Sequence, residues 1–335
     1  MPHAELSFDQ RPDSGSDGFL LAIDFGGTKI AMATANCAGE RLYESEIPTR
    51  AAQGADAVIA RMFEAASVLV SKTLKHVDAP LLAVGAVTPG IIEPDGIRLA
   101  PNNPGWERLA LADVLREGFA IPCVAVETDV KAAALAEARL GALANVDVGL
   151  YLNLGTGLAA AAVINGRVLR GANGAAGEIG YQLRGVAGES VFADGSAPLE
   201  EFVSGRAISD RASALLGRRV STRDVFELGL RDPSVEALLA ETLACLGAQV
   251  ANMTLLLDPS RIVIGGGMSS IPRIAADIAS TLRRAVPYPP QIQVSAFRQG
   301  AALAGAILSA ADAWTAWTAR AGSDDRHGIA LATPG

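Results

Sequence analysis

Two glycine-centred hairpins, set at matching points of two similar runs of strands, constrain this chain more than any other feature. In the first, LLAIDFGGTKIAMATAN, Asp24 ends an apolar strand and Gly26, Gly27 and Thr28 turn the chain into the next one. In the second, GLYLNLGTGLAAAAVINGRVL, Gly155, Thr156 and Gly157 do the same. Strands predicted near 19–24, 30–36 and 41–47 make an antiparallel meander around the first, with FGGT and CAGE as tight turns. Ile59, Met62, Phe63, Ala66, Leu69, Val70 and Leu74 then recur at helical spacing before an apolar strand at 81–87. The second meander uses strands 147–153 and 158–164, with Asn165-Gly166 as a type I′ turn into RVLR. Helical patterns at 198–216 and 235–257 follow, Asp258-Pro259 breaks the helix before RIVIGGG, and a last helix rich in small residues spans 299–318. A meander made twice, each followed by helix and apolar strand, predicts a duplicated α/β nucleotide-binding fold.

The hairpins suit phosphate. Glycines admit positive φ and bring backbone N–H groups close to an anion, Thr28 adds a neutral donor and Lys29 a cation. Asp24, at the strand end, is placed to hold a magnesium ion, directly or through water. Gly155, Thr156 and Gly157 gain weight from their repetition of the first motif. Gly265, Gly266 and Gly267, after RIVI, offer a third close backbone approach suited to an adenine or ribose, or else a plain strand-to-helix turn.

The candidate acid–base residues are carboxylates. The three histidines lie at residues 3, 76 and 327, away from every glycine-rich turn, so histidine is an unexpected catalyst here. Asp129 opens the alanine-rich run VKAAALAEARLGA and reads either as a helix N-cap or as a general base toward a substrate hydroxyl. Glu178 in GAAGEIGY and Glu200 in PLEEF, with Asn102 or Asn103 in PNNPGW, suit a polyol. Carboxylates accept from several hydroxyls, while an amide both donates and accepts. Trp106 reads as core.

Composition removes other classes. The 335 residues are 50% hydrophobic and 19% charged with a net charge of −8, enough for two domains and lacking the basic clusters that grip nucleic acid. The apolar run at 19–25 is interrupted by Asp24 and too short to span a membrane, so a cytoplasmic protein is expected. Cys37, Cys123 and Cys245 are isolated, as reduced thiols used as small core hydrophobes would be. No His or Cys pairs stand at zinc-ligand spacing. The expected organisation is a flexible tail at 1–17, a small lobe from 18–126 plus 299–318, a large lobe from 127–298 and a second flexible tail at 319–335.

Taken in order, IDFGGTK, VGAVTPG, APNNPGW, LNLGTG, GANGAAGEIG and VIGGG resemble the ROK family of sugar kinases and related repressors over residues 19–310. The resemblance implies a two-lobed actin-like ATPase (ribonuclease H-like) fold with a duplicated βββαβα core and ATP with magnesium in the cleft. It implies Asp129 as the base on a sugar 6-hydroxyl, and sugar contacts from Asn103, Glu178 and Glu200. Homodimers are frequent among such relatives. Family repressors carry an N-terminal helix-turn-helix, for which the short leader here is insufficient.

Three departures stand out. Family members usually place a zinc-binding, sugar-touching His after GEIG and supply further zinc ligands from a CxCGxxGC segment. Here Tyr181 replaces the His and no cysteine lies between Tyr181 and Glu200, so no zinc site is expected. Thr128 replaces the Asn usual before the catalytic Asp, and Ala159, Ala160 and Ala161 replace glycines after GTG. Altered sugar choice is the expectation, with glucose, glucosamine and 3-amino-3-deoxyglucose (kanosamine) as candidates and Tyr181 as a contact. The rival readings are a non-catalytic sugar sensor of the same fold and an acyl-phosphate kinase.

Overall fold

The structure, a computed structural model, describes residues 18–100, 103–297 and 300–327. Residues as far as Glu127, together with those from Ala306 onward, form one compact unit, and Thr128–Gly305 form the other. The expected tail at 1–17, residues 328–335 of the tail expected at 319–335, and Asn102 lie outside the described residues.

The first unit holds β1 (Phe19–Phe25), β2 (Lys29–Asn36), β3 (Arg41–Pro48), α1 (Ala55–Val77), β4 (Leu81–Thr88), a small hairpin of β5 (Ile91–Glu93) and β6 (Gly96–Arg98), α2 (Leu111–Phe119) and β7 (Val124–Thr128). Its five-stranded sheet runs β3-β2-β1-β4-β7. β1 is antiparallel to β2, which is antiparallel to β3, while β1 and β4 are parallel. The central strands β1 and β4 are buried almost throughout, as their continuous apolar sequences require. One face packs on α1 through Val58, Met62, Ala66 and Leu69, and α1 stops where Asp78 takes a left-handed φ of 48°.

The second unit begins with α3 (Asp129–Leu140), then β8 (Val148–Leu154), β9 (Leu158–Ile164), β10 (Arg167–Val168), α4 (Glu200–Val203), α5 (Gly205–Leu216), α6 (Thr222–Leu228), α7 (Pro233–Leu257), β11 (Arg261–Gly265), α8 (Pro272–Ala285), β12 (Gln291–Val294) and α9 (Ala301–His327), which continues into the first unit at Ala306. The sheet order is β10-β9-β8-β11-β12. β8 is antiparallel to β9 and parallel to β11, and β9 is antiparallel to β10. Each sheet thus places its third, second, first, fourth and fifth strand side by side, and the duplication read from the hairpins is present strand for strand. Helix α7 is long and apolar enough to cross a membrane by length and composition, but its Val235, Leu239, Leu243, Leu246 and Val250 fill the core of this unit.

Several details differ from the sequence reading. The helix expected over 198–216 breaks at Ser204, whose side chain caps α5 by accepting from the Ala207 N–H at 3.2 Å. Helix α9 runs to His327, beyond 318, because the polar residues after Trp317 are still compatible with helix. The β5–β6 hairpin, α2, α6, α8 and β12 are additional to the elements predicted from the sequence. Cys123 is buried as expected, but Cys37 is exposed. Asn165 and Gly166 do both take positive φ, 50° and 72°, as a type I′ turn needs.

Candidate active site

At the start of α3 the chain separates two jobs that sequence alone left merged. Thr128 is the N-cap, its hydroxyl accepting from the Lys131 N–H at 3.3 Å. Asp129 is the first helical residue, with Oδ1 accepting from the Val130 N–H at 2.9 Å. The helix therefore does not depend on Asp129 for its cap. Desolvation raises the Asp129 carboxyl above its ordinary value, opposed by backbone N–H groups of Val130 and Asp129 and by the charge of Lys131. Lys131 is only 2% exposed.

Two further carboxyls belong to the same electrostatic group. Glu178 immediately precedes a 3₁₀ turn at Ile179–Tyr181. Its carboxyl is raised by desolvation, lowered by Lys131, and raised again by Asp129 and Glu200. Glu200 opens α4, but its carboxylate does not serve that helix: Oε2 accepts from the N–H of Leu158 at 2.8 Å, the first residue of β9. Burial raises Glu200 as well, with the Leu158 bond opposing. Gly157 makes this contact possible, because a Cβ there would lie 2.8 Å from Glu200 Oε2. Desolvation, then the charges of Glu200, Glu178 and Glu201, raise the Tyr181 phenol, whose ring meets the edge of Phe192 at 5.4 Å.

Beside these acids lies the second glycine turn. Gly155 donates its N–H to the Gly157 carbonyl at 3.1 Å and accepts from the Gly205 N–H, at the start of α5, at 2.8 Å. Neither Gly155 nor Gly157 takes positive φ, contrary to the reason offered from sequence. Of the third glycine run only Gly266 does, at 81°, where a Cβ would also meet the Leu154 carbonyl at 2.3 Å. Gly265 ends β11 and Gly267 starts the turn that follows. Thr156 is exposed. Ala159, Ala160 and Ala161 lie not in the turn but in the β9 ladder opposite Asn153, Leu152 and Tyr151, where extended backbone suits alanine.

In the first unit, Asp24 is half-buried at the end of β1. The turn after it is held by Thr49, which donates its N–H to the Thr28 carbonyl at 2.9 Å and its hydroxyl to the Gly26 carbonyl at 2.6 Å. Gly26 and Gly27 also lack positive φ. Lys29, expected as a phosphate cation, pairs with Glu46 at 2.6 Å on the exposed β2–β3 surface. Asn103 is 3% exposed, and neither its Oδ1 nor its Nδ2 has a partner among the described residues. A buried, unsatisfied amide is costly unless a ligand completes it. Trp106 is core, donating Nε1–H to Thr88 Oγ1 at 2.7 Å.

Among the described residues no group of three or more His, Cys, Asp and Glu side chains is arranged to hold a metal. Asp24, a hard oxygen donor beside a glycine turn, is chemically suited to magnesium.

Residues 20–313 match the ROK family. The chain belongs to that family. It is 32% identical over 278 residues to a glucokinase of Halalkalibacterium halodurans, covering 76% of this chain and 82% of the relative. A kanosamine kinase of Amycolatopsis mediterranei is 28% identical, covering 87% and 97%. A ROK family glucokinase from Streptomyces griseus, solved with glucose and AMPPNP, superimposes with a TM-score of 0.67 at 26% identity, covering 88% of this chain and 100% of the other. The fold is accordingly the actin-like ATPase fold of ROK sugar kinases. The relatives are chiefly sugar kinases, although a xylose repressor of Caldicellulosiruptor bescii is also among them.

Lys131 is the residue that sequence reasoning passed over. Its signal was present: Val130 through Ala138 is otherwise nearly all small and apolar, a pattern that buries a helix on every side, so Lys131 and Glu137 had to be buried charges.

Proposed function

We propose that this protein is an ATP-dependent sugar kinase that phosphorylates the 6-hydroxyl of a hexose or aminohexose, with Asp129 as general base. The observation that carries this reading is buried Lys131, whose charge acts on both Asp129 and Glu178, with Glu200 acting on Glu178, at a helix start whose N-cap is Thr128 and not Asp129. The sugar O6 attacks the γ-phosphorus, an O6–P bond forms as the bond to the ADP oxygen breaks, and the hydroxyl proton passes to Asp129. Lys131 favours the ionised form of the base. Glu178 and Glu200 accept from sugar hydroxyls or an ammonium, Tyr181 donates or accepts beside them, and Asn102 and Asn103 are assigned to the sugar as well.

Gly155, Thr156 and Gly157 are assigned to phosphate, with Gly265, Gly266 and Gly267 toward the nucleoside and Asp24, Gly26, Gly27, Thr28 and Lys29 as the first-repeat counterpart. Asp24 would hold magnesium, which when bound would supply charge neutralisation for the phosphates. A homodimer in the cytoplasm completes the proposal, its assembly readable by light scattering on the purified chain.

The test is ATP-dependent ADP release with magnesium across glucose, mannose, glucosamine, kanosamine, N-acetylglucosamine and N-acetylmannosamine. Turnover with one of these sugars, mapped to the 6-position by NMR of the product, supports the reading. Binding of a sugar without turnover sinks it in favour of the sensor.

A further inference from the structure

A single loop connects Tyr181 to Glu200. Its ends meet where the Leu199 N–H donates to the Gly180 carbonyl at 3.1 Å, and residues 181–198 run out and back between them. Beyond Tyr181 its only regular element is a 3₁₀ turn at Phe192–Asp194. Apolar burial does not hold it either, because Leu183, Val186 and Phe192 are 56%, 55% and 60% exposed. Polar side chains must therefore set its shape.

Arg184 and Glu189 close the first half. Glu189 Oε1 accepts from Arg184 Nε at 2.7 Å, while Oε2 accepts from the N–H groups of Arg184 at 2.9 Å and Gly185 at 3.3 Å. The Glu189 side chain is only 6% exposed and that of Arg184 23%, so these charge-assisted bonds are partly covered although the loop lies at the surface. The Arg184 guanidinium lies 4.3 Å from the centre of the Phe202 ring, and that of Arg211 lies 4.0 Å from the same ring. Arg211 also donates to the Phe202 carbonyl at 3.1 Å and to Thr242 Oγ1 at 2.9 Å, which fastens the assembly to α7. Gln249, also on α7, donates to the Leu183 carbonyl at 3.2 Å. Asp194 closes the second half by accepting from the Val191 N–H at 2.9 Å, and Phe192 rests against Tyr181.

Arg184 follows Tyr181 by three positions and Phe202 follows Glu200 by two, so the contact between Arg184 and Phe202 joins the two sugar-assigned ends of the loop. We infer that Arg184, Glu189 and Phe202 form a protein-only clamp that positions Tyr181 and Glu200, making Glu189 a determinant of sugar affinity although it does not touch the sugar. The inference rests on the sugar-kinase reading. The glycine turn assigned to phosphate touches Glu200 but has a further hold outside the loop, the Gly205 N–H on the Gly155 carbonyl at 2.8 Å, so the clamp acts more on sugar than on ATP.

Steady-state kinetics and sugar-binding calorimetry on the full chain decide it, using glucose, glucosamine and kanosamine as probes with wild type, Glu189→Gln, Arg184→Met and Arg184→Lys. Glu189→Gln and Arg184→Met should raise the KM and Kd for sugar roughly 10-fold or more, as small displacements of positioning groups do, with the KM for ATP within about 2-fold. Arg184→Lys, which keeps charge but not the planar fork, should fall between them and wild type. Trypsin should cut after Arg184 in Glu189→Gln faster than in wild type. Unchanged sugar KM and Kd in soluble Glu189→Gln would overturn the clamp, and so would an equal loss of sugar and ATP affinity. Should Glu189→Gln fail to fold, Arg184→Met carries the same two outcomes. A wild type that binds sugar without turnover removes the kinase reading alone, since calorimetry still ranks the variants; a wild type that binds none of the probes overturns both.

Discussion

The two glycine hairpins share a topology and differ in what stands behind them. Behind Gly157 is a half-buried carboxylate, Glu200, bonded to the first N–H of β9; it acts on Glu178, which is in turn linked to Lys131 and Asp129. Around Gly27 there is open space, and the nearby cation Lys29 is engaged with Glu46 at the surface. A duplicated fold has therefore kept its backbone device twice but gathered its interacting carboxyls and buried ammonium in the second unit. Desolvation is what separates them: the same carboxyl or ammonium group does more where water is excluded.

The largest effect expected from this asymmetry is at Asp129. Asp129→Asn should lower kcat by ~10²- to 10⁴-fold if the residue is the base. Stability should move the other way. Burial raises the folded carboxyl above its unfolded value, so its favourable contribution is complete below the ordinary pKa of 3.8 and is lost as pH rises through the higher folded value. At neutral pH the ionised group is a cost, and Asp129→Asn should raise Tm there, with the gain vanishing in acid. Thermal scans at several pH values, beside kinetics, check both halves. A fall in Tm at pH 7 would mean that Asp129 is needed for the helix after all.

Paired alanine substitutions probe the comparison directly. Gly157→Ala places a Cβ 2.8 Å from Glu200 Oε2 and should dislodge that carboxylate, raising sugar KM roughly 10-fold or more. Gly27→Ala meets nothing within 4 Å and should change stability by no more than about 0.5 kcal/mol. Its expected effect is on ATP, a rise of a few-fold in KM where a phosphate would approach the new methyl group. If Gly27→Ala alters sugar KM and Gly157→Ala does not, the proposed link between the second hairpin and the sugar-assigned Glu200 fails.

Much of this architecture was readable because strands and tight turns declare themselves locally. Asn165-Gly166 demands two positive φ values, and both occur. Asp258 takes the left-handed position that ends α7 before Pro259. The missed elements were of two kinds. Short pieces such as the β5–β6 hairpin carry too few residues to show a period. Helix α8, by contrast, was legible in principle: Ile274, Ile278 and Leu282 recur every four residues and are all buried, after a proline at its first position. The candidate site was harder to read because its couplings are long-range in sequence. Glu200 bonds to Leu158, 42 residues away, and no local pattern announces it. The glycines misled for a related reason: Gly157 is required by the space that Glu200 takes and not by its own φ.

A smaller effect, visible chiefly in pH dependence, is expected at Lys131. Its charge lowers both Asp129 and Glu178, while Glu200 on α4 raises Glu178, and buried Tyr151 on β8 is itself raised by Asp129 after desolvation and Glu137. Removing the ammonium as Lys131→Met leaves the acids without their nearby cation, so Asp129 should hold its proton to higher pH. With Asp129 as the proposed base, activity should require its ionised form, so the acid limb of the kcat/KM profile should move upward in pH while the plateau is largely regained at alkaline pH. Lys131→Arg should restore the limb if the pocket admits the larger head. The acids titrate together, so the apparent midpoint belongs to the group. An unmoved limb with a uniformly lower plateau would assign Lys131 to packing alone.

The smallest effect is expected at Lys29, and it is the sharpest check on the first hairpin. The pair with Glu46 is exposed on both sides, 47% and 57%, and such a pair contributes about 0–1 kcal/mol. Lys29→Met should therefore barely move Tm. If Lys29 stays with Glu46 when nucleotide binds, ATP KM should change by less than about 2-fold, and the double variant with Glu46→Gln should add nothing further. If Lys29 leaves Glu46 for phosphate, ATP KM should rise in Lys29→Met and fall in Glu46→Gln, because the competing carboxylate is gone. Opposite signs in the two single variants would show that the first hairpin also commits charge to the nucleotide, and the contrast between the repeats would narrow to their carboxylates.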